Sequence, residues 1–263
     1  MNSSLLSIKD LVKSYDGKTN ALDHLDLELS DGEFVVVIGP SGSGKSTLIR
    51  SINHLVEPTS GDIMFDGQDL STLSKKELRK TRTKIGMIFQ NYNLIDRSNV
   101  LKNVLHGKLG KLSQWETIFG RFSQEDKEQA VALLQEVGLE DHLYKRADEL
   151  SGGQMQRVGI CRALMQEPKL LLADEPIASL DPASSKVVMD QLYRITQRQG
   201  LTCIVNLHQV EVAKEYATRI IGIRKGKVVF NGKPTELTDE MISHIYENKL
   251  AEAVGVPQPV MAY

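Results

Sequence analysis

Two kinds of hydrophobic pattern alternate along this chain. Phe34-Val35-Val36-Val37-Ile38, Ile85-Gly86-Met87-Ile88-Phe89, Lys169-Leu170-Leu171-Leu172-Ala173 and Thr202-Cys203-Ile204-Val205-Asn206 are short, mostly apolar runs, which predicts strands buried on both faces. Ala21 to Leu29 alternates apolar and polar residues instead, as a half-exposed sheet requires; residues 6–15 and 62–65 read as further strands. Helical periods run over about 46–55, 152–166 and 182–198. Buried strands alternating with helices predict an α/β fold with a mostly parallel sheet covered on both faces. From Asn91 to Glu149 the pattern is helical. There Ser123-Gln124-Glu125-Asp126 reads as an N-cap with an acidic third position, Val131, Leu133, Leu134 and Val137 form an apolar stripe, and Gly138 stops it. Turns are expected at Ser30-Asp31-Gly32, Pro58-Thr59-Ser60-Gly61 and Arg224-Lys225-Gly226-Lys227, the last between two edge strands. A short helix is expected over about 236–248, and Val254 to Pro259 reads as a loose tail.

The 263 residues suffice for one large core with an insertion. The expected division is a core over 1–90 and 150–235, a helical part over about 91–149, and a C-terminal helix and tail over 236–263. A formal net charge of -2 gives no global basic field for holding phosphate backbones, so nucleic acid is not an expected partner. Met1 to Lys9 lacks a charged start followed by a long apolar core, and no apolar run approaches the roughly 18 residues of a spanning helix. Cys161 and Cys203 fall in expected regular elements and read as small buried side chains, which suits a reducing cytoplasm.

Chemistry enters at Gly39-Pro40-Ser41-Gly42-Ser43-Gly44-Lys45-Ser46-Thr47. This glycine loop follows a buried strand and opens a helix, the setting of a phosphate-binding loop. Its glycines let backbone N–H groups wrap an anion, and the helix N-terminus adds partial positive charge. Lys45 would reach the β- and γ-phosphates, and the Ser46 hydroxyl would hold Mg²⁺. An ordinary glycine turn leaves the Gly-Lys-Ser ending unexplained. A magnesium–nucleotide site also needs an acidic residue at a strand end near the loop, and Leu172-Ala173-Asp174-Glu175 supplies one. Asp174 would hold Mg²⁺ directly or through water, while Glu175 points elsewhere, toward an attacking water.

Leu150-Ser151-Gly152-Gly153-Gln154-Met155 is a second glycine cluster at a helix start, hence a second anion cradle. One nucleotide hardly needs two cradles, so the second is expected to serve a nucleotide bound by another copy. Here the sequence resembles the ATP-binding-cassette family of transport ATPases, for which Leu-Ser-Gly-Gly-Gln is the signature. The resemblance runs from Tyr15 to the strands near 230. It implies a P-loop NTPase core with an antiparallel β subdomain and a helical insertion, with ATP and Mg²⁺ as cofactors. Residue by residue, Tyr15 matches the aromatic that stacks on adenine and Gln90 the glutamine that senses Mg²⁺ and the attacking water. Asp181, in Ser179-Leu180-Asp181, matches the loop crossing the dimer interface, although Asp181-Pro182 also suits an N-cap. His208 matches the histidine that contacts the γ-phosphate. The partners implied are a second copy, two transmembrane permease subunits docked beside Gln90 and, indirectly, a solute-binding protein, with this chain peripheral on the cytoplasmic face of the membrane.

Within the family, the chain looks most like the ATPase subunits of bacterial phosphonate importers. Gln90-Asn91-Tyr92-Asn93-Leu94-Ile95, Leu105 to Gly110 with Trp115 and Phe122-Ser123, Leu172 to Pro182, and Val205-Asn206-Leu207-His208-Gln209-Val210 carry that likeness. The Asn-Leu-His-Gln form reads as subfamily character without chemistry, and phosphonate over phosphite, phosphate or another oxyanion rests on resemblance alone. A repair or chromosome-maintenance cassette would carry a longer insertion and basic patches. A stand-alone P-loop kinase or switch protein would lack Ser151-Gly152-Gly153-Gln154.

Overall fold

The computed structural model describes residues 4–246 except 114 and 117–119. Its strands are β1 (Leu6–Ser14), β2 (Asn20–Leu29), β3 (Phe34–Ile38), β4 (Ser60–Phe65), β5 (Gln68–Asp69), β6 (Ile85–Ile88), β7 (Leu170–Asp174), β8 (Thr202–Asn206), β9 (Arg219–Arg224) and β10 (Lys227–Gly232). They form an antiparallel sheet in the order β2-β1-β4-β5 and a larger sheet in the order β10-β9-β3-β8-β7-β6. In the larger sheet every pairing is parallel except β9 with the edge strand β10. The helices are α1 (Lys45–Ile52), α2 (Lys75–Arg82), α3 (Val100–Leu105), α4 (Gln124–Glu136), α5 (Gly152–Leu164), α6 (Pro182–Gln199), α7 (Val210–Tyr216) and α8 (Asp239–Tyr246). None is long and apolar enough to cross a membrane among the described residues.

The two-residue period of β3 divides the interior. Phe34, Val36 and Ile38 face one core with α3 to α8, whereas Val35 and Val37 face another with α1 and the antiparallel sheet. All five are fully buried, worth about 1.5–3 kcal/mol each relative to exposure. Burial on both sides is why these strands lack polar alternation. Because the strands run parallel, the ends of β3, β6, β7 and β8 open on one edge of the sheet. The pairings Val37 with Asn206 and Asp174 with Asn206 set β3, β8 and β7 in one register row there. In open α/β sheets this is the edge where ligands bind.

Several local expectations change. The 224–227 turn has Lys225 and Gly226 at φ 49° and 78°, as a tight hairpin needs, but of its two strands β9 is interior, paired with β3, and β10 alone is an edge. Helix α2 falls outside the expected elements because Lys75 to Arg82 offers one apolar residue. Its signal is instead the capping box in which Ser74 Oγ accepts from Glu77 N and Glu77 Oε2 accepts from Ser74 N. In α4 the Ser123 cap forms as expected, yet Val131 is half-buried and Ala130 takes its place in the core. The expected C-terminal helix over about 236–248 appears as α8 within the described residues, preceded by a 3₁₀ turn at Pro234–Glu236; the expected tail lies outside the described residues. Cys161 and Cys203 are free and buried, and burial pushes both thiols up.

Candidate functional site

The glycine loop spans the gap between Ile38, the last residue of β3, and Lys45, the first of α1. Its glycines are forced by space as well as by dihedral angle. A Cβ on Gly39 would fall 2.1 Å from the Ile223 carbonyl oxygen, and one on Gly44 2.3 Å from that of Ala21; Gly42 sits at φ +80°. The loop is tied down by Gly226 N donating to Ser43 O at 2.9 Å, and Ser43 Oγ is buried with no hydrogen-bond partner. No side chain caps the N-terminus of α1, and its first turn is free of acidic residues. Its leading N–H groups therefore remain for an anion. Lys45 is 4% exposed, and its Nζ donates to the carbonyls of Gly39 at 2.8 Å and Pro40 at 3.0 Å.

Asp174 and Glu175 are adjacent in sequence yet face different surroundings. Asp174, the last residue of β7, is 2% exposed. Its Oδ2 accepts from Arg50 Nε and Nη2 at 3.2 and 3.1 Å, and its Oδ1 accepts from Asn206 Nδ2 at 3.0 Å. The same Asn206 nitrogen reaches Ser46 Oγ at 3.2 Å. Glu175 then takes a left-handed backbone, φ 52°, which costs a non-glycine residue about 1–3 kcal/mol. That turn carries its carboxylate away from Asp174 to within 2.7 Å of His208 Nε2.

A cavity of about 260 Å³ opens between these parts. Ser41, Gly42, Gly44, Lys45, Ser46 and Thr47 line one side, and Ala21, Glu175 and His208 complete it. Tyr15 stands beside it, its exposed ring placing the hydroxyl 3.4 Å from Thr47 Oγ1, with Lys13 Nζ 5.1 Å from the ring centroid. Gln90 is exposed, two residues beyond β6, at the same edge of the sheet but outside the cavity lining.

The second glycine cluster is elsewhere. Ser151 caps α5, its Oγ accepting from Gln154 N while Gln154 Oε1 accepts from Ser151 N at 2.9 Å; Gln154 Nε2 also meets His142 Nε2 at 3.2 Å. Close packing within the chain explains both glycines. A Cβ on Gly152 would come within 2.8 Å of the Tyr92 hydroxyl, and one on Gly153 within 3.2 Å of Ser184 Cβ. Asp181 caps α6, its Oδ1 accepting from Ser184 N at 3.0 Å, and hydrogen bonding from the Ser184 side chain and backbone lowers its pKa. Neither Ser151 to Gln154 nor Asp181 lines the cavity.

The donor set fits Mg²⁺. A hydroxyl and a carboxylate joined through one amide offer two oxygens, and Mg²⁺ characteristically takes one or two protein ligands and completes its shell with phosphate and water. Sequence reasoning missed Arg50 and Asn206, the two residues that hold Asp174. The signal for Asn206 was present, since its strand is otherwise read as nearly all apolar, and for Asn206 the reading of the Asn-Leu-His-Gln form as subfamily character without chemistry gives way to these contacts.

A parallel sheet with a phosphate loop at its carboxyl edge, a strand-end carboxylate pair and a separate capped glycine cluster define an ATP-binding cassette. The chain belongs to the ABC transporter family, whose model matches residues 22–178, and is an ATPase. It is 54% identical over 253 residues to a phosphonates import ATP-binding protein of Oceanobacillus iheyensis, covering 96% of this chain and 100% of the relative. A protein of the same description from Halalkalibacterium halodurans is 53% identical, covering 92% of this chain and 100% of its own. Among solved structures, a dimeric post-hydrolysis ATP-binding cassette bound to ADP and Pi is 35% identical, with a TM-score of 0.76 over 87% of this chain and 98% of that one. A nucleotide-free cassette from an ABC transporter is 26% identical, with a TM-score of 0.78 over 97% and 100%.

Proposed function

We propose that this chain is the ATP-hydrolysing subunit of a bacterial importer for phosphonate or a related phosphorus oxyanion, working on the cytoplasmic face of the membrane. The substrate class follows the relatives, phosphonates import ATP-binding proteins that match 96% and 92% of this chain. The observation that carries the catalytic reading is the Glu175–His208 pair facing the phosphate loop across one cavity.

In this reading the loop from Gly39 to Thr47 wraps the triphosphate with its N–H groups, and Lys45 turns from the Gly39 and Pro40 carbonyls to the β- and γ-phosphates. Tyr15 offers a flat apolar face to adenine. Ser46 and Asp174 would hold Mg²⁺, with Gln90, at the same edge of the sheet beyond β6, a further candidate ligand. Bound Mg²⁺ supplies charge neutralisation at the phosphate oxygens. Glu175 orients the attacking water and accepts its proton, and His208 fixes the carboxylate and stands next to the γ-phosphate. Ser151, Gly152, Gly153, Gln154 and Asp181 serve the nucleotide of a second copy, which accounts for their lying outside this chain's own cavity. Closure of two copies over two ATP molecules moves a pair of permease subunits as rigid bodies, and a solute-binding protein delivers the oxyanion.

The test is transport. Vesicles containing this chain with its permease and solute-binding protein are expected to accumulate methylphosphonate only when ATP is inside. ATP-driven uptake of an unrelated solute with no phosphonate, phosphite or phosphate competition would overturn the substrate class and leave the ATPase intact.

A further inference from the structure

Asn206 occupies a position where a polar side chain is hard to accommodate. It ends β8, the strand between β3 and β7 in the sheet, and pairs with Val37 on one side and Asp174 on the other. It is fully buried, and its Oδ1 has no hydrogen-bond partner. A buried amide with an unsatisfied oxygen is costly in an apolar strand, so what the nitrogen does has to explain the residue. Its orientation is fixed by chemistry, because an ionised Asp174 carboxylate can only accept. An amide nitrogen has two hydrogens, and two acceptors face it: Asp174 Oδ1 at 3.0 Å and Ser46 Oγ at 3.2 Å.

We propose that Asn206 is a positioning residue for the magnesium site, its amide nitrogen holding the Ser46 hydroxyl and the Asp174 carboxylate in one register so that both present oxygen to the same ion. Ser46 is fixed by α1 and Asp174 by β7, two elements that the chain joins only through long connections. Among the described residues, Asn206 is the one side chain bonded to both functional groups. By accepting from Asn206, Ser46 Oγ keeps a second lone pair, and Asp174 Oδ1 keeps its own. Arg50 steadies the other carboxylate oxygen from the solvent side, so the carboxylate cannot rotate away when Oδ1 engages the ion. The inference rests on the magnesium–ATP reading above.

The measurement is Mg²⁺ titrated against the ATP-loaded, full-length chain, with ATP affinity in EDTA as the reference. Asn206→Leu keeps the volume and removes both donors. It is expected to weaken Mg²⁺ by about ten- to hundredfold, as loss of a hydrogen bond to a metal ligand typically does, while leaving ATP affinity in EDTA within about twofold. A merely structural role would lower both affinities together, and that result overturns the proposal, as does a Mg²⁺ affinity equal to wild type. Should Asn206→Leu fail to fold, Asn206→Ser is read by the same titration. Its single shorter donor is expected to lose Mg²⁺ affinity at constant EDTA affinity, and an unchanged Mg²⁺ affinity again overturns the proposal. If the wild-type chain itself shows no Mg²⁺ effect, the magnesium reading fails and this inference with it; if wild type responds and the variants respond equally, only the positioning role falls.

Discussion

His208 Nε2 lies 2.7 Å from Glu175 Oε1, joining the second residue after β8 to the first residue after its parallel neighbour β7. The contact is possible because Glu175 takes a left-handed backbone turn that its neighbour Asp174 does not. Two consecutive carboxylates thereby receive separate surroundings. Asp174 faces inward among Arg50, Asn206 and Ser46, and Glu175 faces the cavity, held by an imidazole that is more than a third exposed.

Lys45 supplies the side-chain positive charge in the loop. Lys45→Ala is expected to abolish ATP hydrolysis and weaken ATP binding by roughly ten- to hundredfold, the equivalent of losing a charge-assisted hydrogen bond worth about 1.5–3 kcal/mol. The fold should survive, because the loop's shape is set by Gly39 against Ile223 and Gly44 against Ala21. Nucleotide titration of the purified variant checks this, and near-normal turnover would remove Lys45 from the site.

What was legible in the sequence was whatever a short window of residues determines. The glycine loop, the runs at β3, β7 and β8 and the Ser123 cap are local signals, and each appears where its residues put it. Helix α2 was missed because it covers almost no core, so its apolar period is absent. The interior place of β9 depends on pairing with β3, nearly two hundred residues away, and nothing within 219–224 encodes that partner. Asn206 was misread for a related reason. Its meaning comes from Ser46 and Asp174, which the register of three strands brings to it, and a single buried asparagine in an apolar run names neither.

The signature is expected to act on a nucleotide held by another copy, and a substitution there should separate binding from turnover. Ser151→Arg removes a cap bonded to Gln154 N, at a cost of about 1 kcal/mol in stability, and places bulk at the start of α5. ATP affinity of the isolated chain should stay within a few fold of wild type while hydrolysis is lost. A fall in affinity as large as that of Lys45→Ala would place the signature in the chain's own pocket.

Glu167 gives a pH-dependent test of how the helical part is held. Lys111 and Lys108 on one turn, with Gln129 of α4, hold its carboxylate at about 2, well below its ordinary range. A depressed carboxylate contributes stability that is present above the unfolded-state value near 4.5 and lost as pH falls toward 2. The side chain is about half exposed, so screening limits the effect to roughly 1 kcal/mol or less. Glu167→Gln should therefore lower Tm slightly at pH 7, with the gap to wild type closing between about pH 4.5 and pH 2. A gap that widens on acidification would show that the ion pairs do not carry it.

Glu175→Gln bears most directly on the chemistry. Glutamine keeps the length and shape of the side chain, and its amide can still meet His208, so the geometry at the cavity is preserved while the base is gone. General-base contributions span about a hundred- to ten-thousandfold, and turnover should fall within that range with ATP binding retained. Removing one negative charge also relieves repulsion toward the γ-phosphate, which favours two copies closed over nucleotide. Slow hydrolysis and favoured closure together should make the variant accumulate as an ATP-bound dimer on size-exclusion chromatography, under conditions where the wild type is mostly monomeric. A Glu175→Gln chain that remains monomeric and hydrolyses ATP at the wild-type rate would place the base on another residue.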